Sequence, residues 1–173
     1  MIGAHGPGAH GSRPARFFWP EQRAQLDRLF EAILPGSADS PGANDVAAAE
    51  LIDRELAIEP VDYYEVPAWR ALYVAGLAAL DAACRVQAKV ALADATAEQV
   101  HELVAGLAAG QLAGFPAGLD QKKLFATLRA HCIEGCFSDP KHGGNRGGAM
   151  WRWYGYLESS KPFHRGGGAG GPR

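Results

Sequence analysis

Cysteine is scarce in this chain of 173 residues: Cys84, Cys132 and Cys136 are the full set. An odd, low count argues against the disulfide framework of small secreted domains and leaves the compartment open. Long apolar runs are missing too. The longest charge-free apolar stretch in the middle, Ala71 to Leu80, is half of what a spanning helix needs, which excludes a membrane anchor. An excess of one sign of charge is nearly absent, and a formal net charge of −2 does not fit a binder of nucleic acid or of anionic membrane. No segment alternates apolar and polar residues between hairpin turns, so strands are not expected. No serine sits in a nucleophile elbow, and no HExxH pair, Walker loop or dinucleotide fingerprint occurs. The first sixteen residues hold neither an apolar run nor a twin arginine, so no export signal is expected in them.

What is present reads as globular and helical. Hydrophobic residues make up 47% and charged residues 21%, enough for one domain with a real core. Composition divides the chain into a flexible segment 1–16, a helical domain 17–157 and a flexible glycine-rich tail 158–173. Pro20 suits a first helical turn, and Leu26, Leu29, Phe30, Ile33 and Leu34 follow a helical stripe that Pro35-Gly36 ends. Asn44 or Asp45 is placed to cap a second helix burying Ala48, Leu51, Ile52 and Leu56. An aromatic patch follows (Tyr63, Tyr64, Trp69, Tyr73), with Pro67 opening an alanine-rich helix to about Val90. Thr96 to Gln99 reads as a capping box for Val100, Leu103, Val104 and Leu107, with Gly110 as the stop. Asp120 caps a fifth helix carrying Leu124, Phe125, Leu128 and Cys132, which Pro140 forbids from continuing. The fold class is all-α: about five helices and an irregular C-terminal segment rich in glycine and aromatics.

The sharpest chemical suspects are His131, Cys132, Cys136 and His142. Imidazole and thiolate are ligands for zinc or copper, and Cys132 and Cys136 share a helix face. Their CxxxC spacing on one helix is not the CxxC knuckle of structural zinc, and buried free cysteine behaves as a small hydrophobe. Packing is therefore favoured, with a small metal- or haem-binding redox protein as the rival. The glycine loop His142 to Gly148 could nest an anion beside Arg146, or could be a tight turn whose Asn145 caps local backbone; the turn is preferred. The acids Asp53, Glu55, Asp62, Glu65, Glu134 and Asp139 are scattered. Asp62 and Glu65 could pair, but a helix start explains them as well. So thin a catalytic inventory suits a partner better than a catalyst. Trp151, Trp153, Tyr154 and Tyr156 cannot all turn inward from so short a segment, and such residues are enriched at interface hot spots.

The run Leu128-Arg-Ala-His-Cys-Ile-Glu-Gly-Cys-Phe-Ser-Asp-Pro-Lys-His-Gly-Gly-Asn-Arg-Gly-Gly-Ala-Met-Trp-Arg-Trp-Tyr-Gly-Tyr156 resembles the C-terminal signature of the gluconate 2-dehydrogenase subunit 3 family. That signature has an E-G-x-F-x-D-P-x-x-G-G-N core, then a tryptophan and a G-Y/F close. Glu21-Gln-Arg-Ala24, Ile33-Leu-Pro35, Asp39-Ser-Pro-Gly-Ala43 and Leu51-Ile-Asp-Arg54 look similar to the N-terminal part, so the resemblance covers about 17–157. Cys132, Cys136 and His142 depart from the pattern, His142 standing where an aromatic is usual.

The resemblance implies a small non-catalytic subunit paired with a large FAD-containing dehydrogenase of the glucose–methanol–choline type, oxidising a sugar, glycoside or sugar acid. Such complexes often add a multihaem cytochrome c. The small subunit helps the flavoprotein fold, stabilise or reach the periplasm, commonly by carrying a twin-arginine signal. With none in this chain, a cytoplasmic location is the alternative. No catalytic, cofactor or metal residue is implied for the chain itself. The residues expected to meet the partner are Asp139, Pro140, Gly143, Gly144, Asn145, Arg146, Trp151 and Trp153.

Overall fold

Pro20, with its φ already set for helix, and the Gln22 side chain, which accepts the Trp19 backbone N–H at 3.1 Å, start α1 (Pro20–Ile33). A computed structural model describes residues 16–59 and 63–156, so the tail 158–173 and all but the last residue of the segment 1–16 lie outside the described residues. α1 buries Leu26, Leu29 and Phe30, and packs against α2 (Ala49–Glu55), α3 (Val66–Gln87), α4 (Ala97–Ala109) and α5 (Gln121–Phe137). The remaining core comes from the inward stripes of those helices, including Ile52, Tyr73, Leu80, Leu103, Leu107, Leu124 and Leu128. The fold is all-α, with no strand among the described residues.

Local signals place most boundaries where the sequence puts them. Thr96 and Gln99 exchange hydrogen bonds at the start of α4 (2.9 and 3.3 Å), and Gly110 ends it at φ 72°. Asp120 accepts the Lys123 N–H at 3.0 Å to begin α5.

Three features differ from the sequence reading. Neither Asn44 nor Asp45 caps α2: the Asp45 carboxylate accepts the Gly42 N–H (2.8 Å), and the Asn44 N–H donates to Glu31 (2.9 Å). The chain turns through 43–48, with Ala47 at φ 53°, before the helix begins at Ala49. α3 stops at Gln87 rather than Val90, because Lys89 takes a left-handed conformation at φ 62°. The C-terminal segment is not wholly irregular: Ala149–Trp153 forms a sixth short helix, α6, after the glycine loop.

Candidate functional site

The glycine loop is built by backbones in contact. Gly143, Gly144 and Asn145 follow one another at positive φ (102°, 70° and 36°). A Cβ on Gly144 would run into the Gly135 carbonyl of α5, and one on Gly135 would run into the Ala48 carbonyl before α2. Two glycines thus let the loop, α5 and the entry to α2 stack without side chains between them. Asn145, fully buried, locks the stack. Its side chain donates to the Ser138 carbonyl (3.0 Å) and accepts the Met150 N–H (3.0 Å), while its backbone N–H donates to Gly135 (2.8 Å). Arg146 N–H donates to Val46 at 2.9 Å.

This arrangement decides between the two readings of the loop. The N–H groups of Gly143, Asn145, Arg146 and Gly148 all go to carbonyls of the chain itself, so the turn and not the anion nest is formed. It also divides the expected contact residues. Gly143, Gly144 and Asn145 are buried in the lone chain. Asp139 and Pro140 are half-buried, and Arg146 is exposed. Trp151 is half-buried, its indole N–H on the Phe137 carbonyl at 2.8 Å and its ring 5.2 Å from Tyr156. Trp153 donates to the Asp39 carbonyl at 2.7 Å yet stays 51% exposed, beside Tyr154 at 74% and Tyr156 at 50%. The loop therefore serves as a rigid base that presents aromatic side chains on α6.

The four metal suspects do not converge. Buried His131 shares a 2.9 Å hydrogen bond with the Tyr73 hydroxyl and lies edge-on to Trp69. Burial pushes its imidazole down to about 4. The Cys132 thiol donates to the Phe30 carbonyl at 3.6 Å, and neighbouring Cys136, together with burial, pushes its pKa well above that of an ordinary thiol. Both cysteines are free and buried, whereas His142 stands exposed on the wall of a groove. Among the described residues, no three His, Cys, Asp or Glu side chains gather as a metal site.

The model of the family "Gluconate 2-dehydrogenase subunit 3" matches residues 20–157, from the first residue of α1 to just past α6. The chain belongs to the gluconate 2-dehydrogenase subunit 3 family. No curated protein and no solved structure matches it. The family's name is that of a subunit of a dehydrogenase complex.

In this subunit 3 chain, one structural residue stands out that spacing alone did not single out. Asp53 on α2, only 2% exposed, accepts the N–H groups of Phe17 (2.9 Å) and Phe18 (3.0 Å), and pairs with Arg16 (3.1 Å) and Arg23 (3.3 Å). It fastens the segment that enters α1. Beside it, burial works against charge on Glu50, but Arg16 and Arg54 prevail and hold that carboxyl down at about 2. The sequence reading holds Asp53 only as one of its scattered acids and does not name Glu50; an acid four residues from an arginine (Glu50, Arg54) was the available signal. The suggested Asp62–Glu65 pair is half visible: Asp62 lies outside the described residues, and Glu65 immediately precedes α3.

Proposed function

We propose that this subunit 3 chain is non-catalytic, and that it binds, stabilises and helps mature a large FAD-dependent dehydrogenase of the glucose–methanol–choline type. The partner oxidises the hydroxyl of a sugar, glycoside or sugar acid. Electrons go to FAD in that partner, and onward to a cytochrome c subunit where one is present, without passing through this chain. The complex works in the periplasm. Within a member of this family, the observation that carries the reading is the exposed aromatic trio Trp153, Tyr154 and Tyr156 on a base held by a buried asparagine. Large, rigid aromatic side chains bury much area on docking at low entropic cost, and Arg146 and Arg152 beside them suit the same surface.

Co-expression with a large FAD-dependent dehydrogenase of the proposed type from the same genome, followed by affinity pull-down on this chain, tests the proposal. A stable, yellow, dye-reducing complex is the expected result, and a screen of sugars on it then finds the substrate. Recovery of this chain alone and colourless would overturn the reading. A Trp153→Ala, Tyr154→Ala variant should weaken the complex by about 2 kcal/mol or more, as judged by titration, with the fold of the lone chain unchanged. Fractionation of cells carrying the complex tests the periplasmic location.

A further inference from the structure

A second surface of the molecule is not accounted for by the aromatic segment. Between α2 and α5 runs an open groove of about 710 Å³, with Leu51, Ile58, Ile133 and Phe137 as its apolar lining. Ile58, Ile133 and Phe137 are all exposed, which costs free energy in water unless something covers them. Two carboxylates, Glu55 of α2 and Glu134 of α5, line the same groove. Among the described residues neither has an ion pair. Burial raises the pKa of Glu55, and the charge of Glu134 raises it further; burial raises that of Glu134 too. The other charged wall residue, Arg54, is already committed to Glu50 at 2.6 Å, and His142 completes the rim. The groove thus couples an apolar floor to an uncompensated negative pair. It is also continuous with the aromatic segment, since Phe137 both lines it and accepts the Trp151 indole N–H through its carbonyl.

We infer that the α2–α5 groove is a second docking site for the dehydrogenase partner, taking an apolar segment that places a lysine or arginine between Glu55 and Glu134. The inference rests on the accessory-subunit reading and adds to it where and by what chemistry the partner is gripped. A basic side chain there would relieve the repulsion between the half-buried Glu55 carboxylate and the exposed one of Glu134, while its neighbours cover the apolar floor.

The test uses the full chain and the co-expressed flavoprotein, with affinity measured against salt. Glu55→Lys, Glu134→Lys should bind roughly tenfold or more weakly than the unaltered chain. The isosteric Glu55→Gln, Glu134→Gln pair should lose part of that and flatten the salt dependence. Glu98→Lys on the far groove between α1 and α4 should bind normally. Circular dichroism melts that coincide with the unaltered chain's keep loss of binding separate from loss of fold. Binding of both groove variants within twofold of normal would overturn the groove while leaving the accessory reading intact. Capture of no flavoprotein by the unaltered chain would instead overturn the accessory reading. Two other results would give the groove a different occupant and sink the proposal: a dimer of the lone chain broken by the lysine variant, or a rise in hydrophobic-dye binding on truncation after Tyr156.

Discussion

Asn145 combines three demands that few side chains meet together. It holds φ 36°, which asparagine tolerates better than most residues, and its amide supplies one donor and one acceptor to backbone groups that are otherwise stranded. Asn145→Ala should cost about 3 kcal/mol in urea unfolding, the sum of an orphaned Met150 N–H, an orphaned Ser138 carbonyl and backbone strain. Asn145→Gly should recover only the strain. His131 makes a second residue-scale statement. Its folded value of about 4 lies below the ordinary 6.5, so the unfolded chain takes up the proton first as pH falls. The stability gained by burying a neutral ring is therefore complete above pH 6.5 and is lost as pH drops toward 4. The stability difference between the unaltered chain and His131→Gln should shrink over that window, and an NMR titration should find the imidazole titrating near pH 4.

At the scale of elements, caps and stops act within a few residues of themselves, and so they were legible. Thr96 with Gln99, Asp120, Pro20 and Gly110 each need only their own turn of helix to act. Thr96→Ala should lower the unfolding free energy by about 1 kcal/mol. What the sequence did not disclose is set by approach from a distance. Nothing near Asn44 signals that Glu31, in the preceding helix, will claim its N–H, and nothing near Gly135 announces Ala48 across the gap. A glycine-rich stretch before aromatics looks irregular by composition, yet α6 forms because Asn145 supplies the Met150 N–H with a partner. Gly135→Ala should be far harsher than a helical Gly→Ala usually is. The helix propensity gained is under about 1 kcal/mol, whereas the new methyl collides with the Ala48 carbonyl and must drive α5 away from α2. Chemical denaturation should find it destabilised by several kcal/mol, on the order of an overpacked core.

For the whole molecule, the surface carries more than the core. A sequence can announce a stripe of leucines as interior, but it cannot tell which of its aromatics will be left outside, because that depends on how helices far apart in the chain meet. Trp153, Tyr154, Tyr156, Ile133 and Phe137 all end up exposed on or beside the C-terminal half of α5 and α6. The lone chain should accordingly bind a hydrophobic dye and self-associate as concentration rises, and complex formation should suppress both. Acid should act on the fold in stages. Glu50, held down near 2 from an ordinary 4.5, contributes stability that is full above pH 4.5 and is lost as pH falls through 2. A Glu50→Gln variant should lose its disadvantage over that range in acid-titrated melts.

The stack of loop, α5 and α2 entry also sets a tempo. Because the Asn145 and Arg146 amides are bonded to Gly135 and Val46, on two different parts of the chain, neither can reach water by local fraying. Deuterium should enter these two loop positions only when the helices come apart, at the rate of global opening. A stretch whose glycines suggest mobility would then be among the last in the protein to exchange, a clock for unfolding placed outside the α-helices.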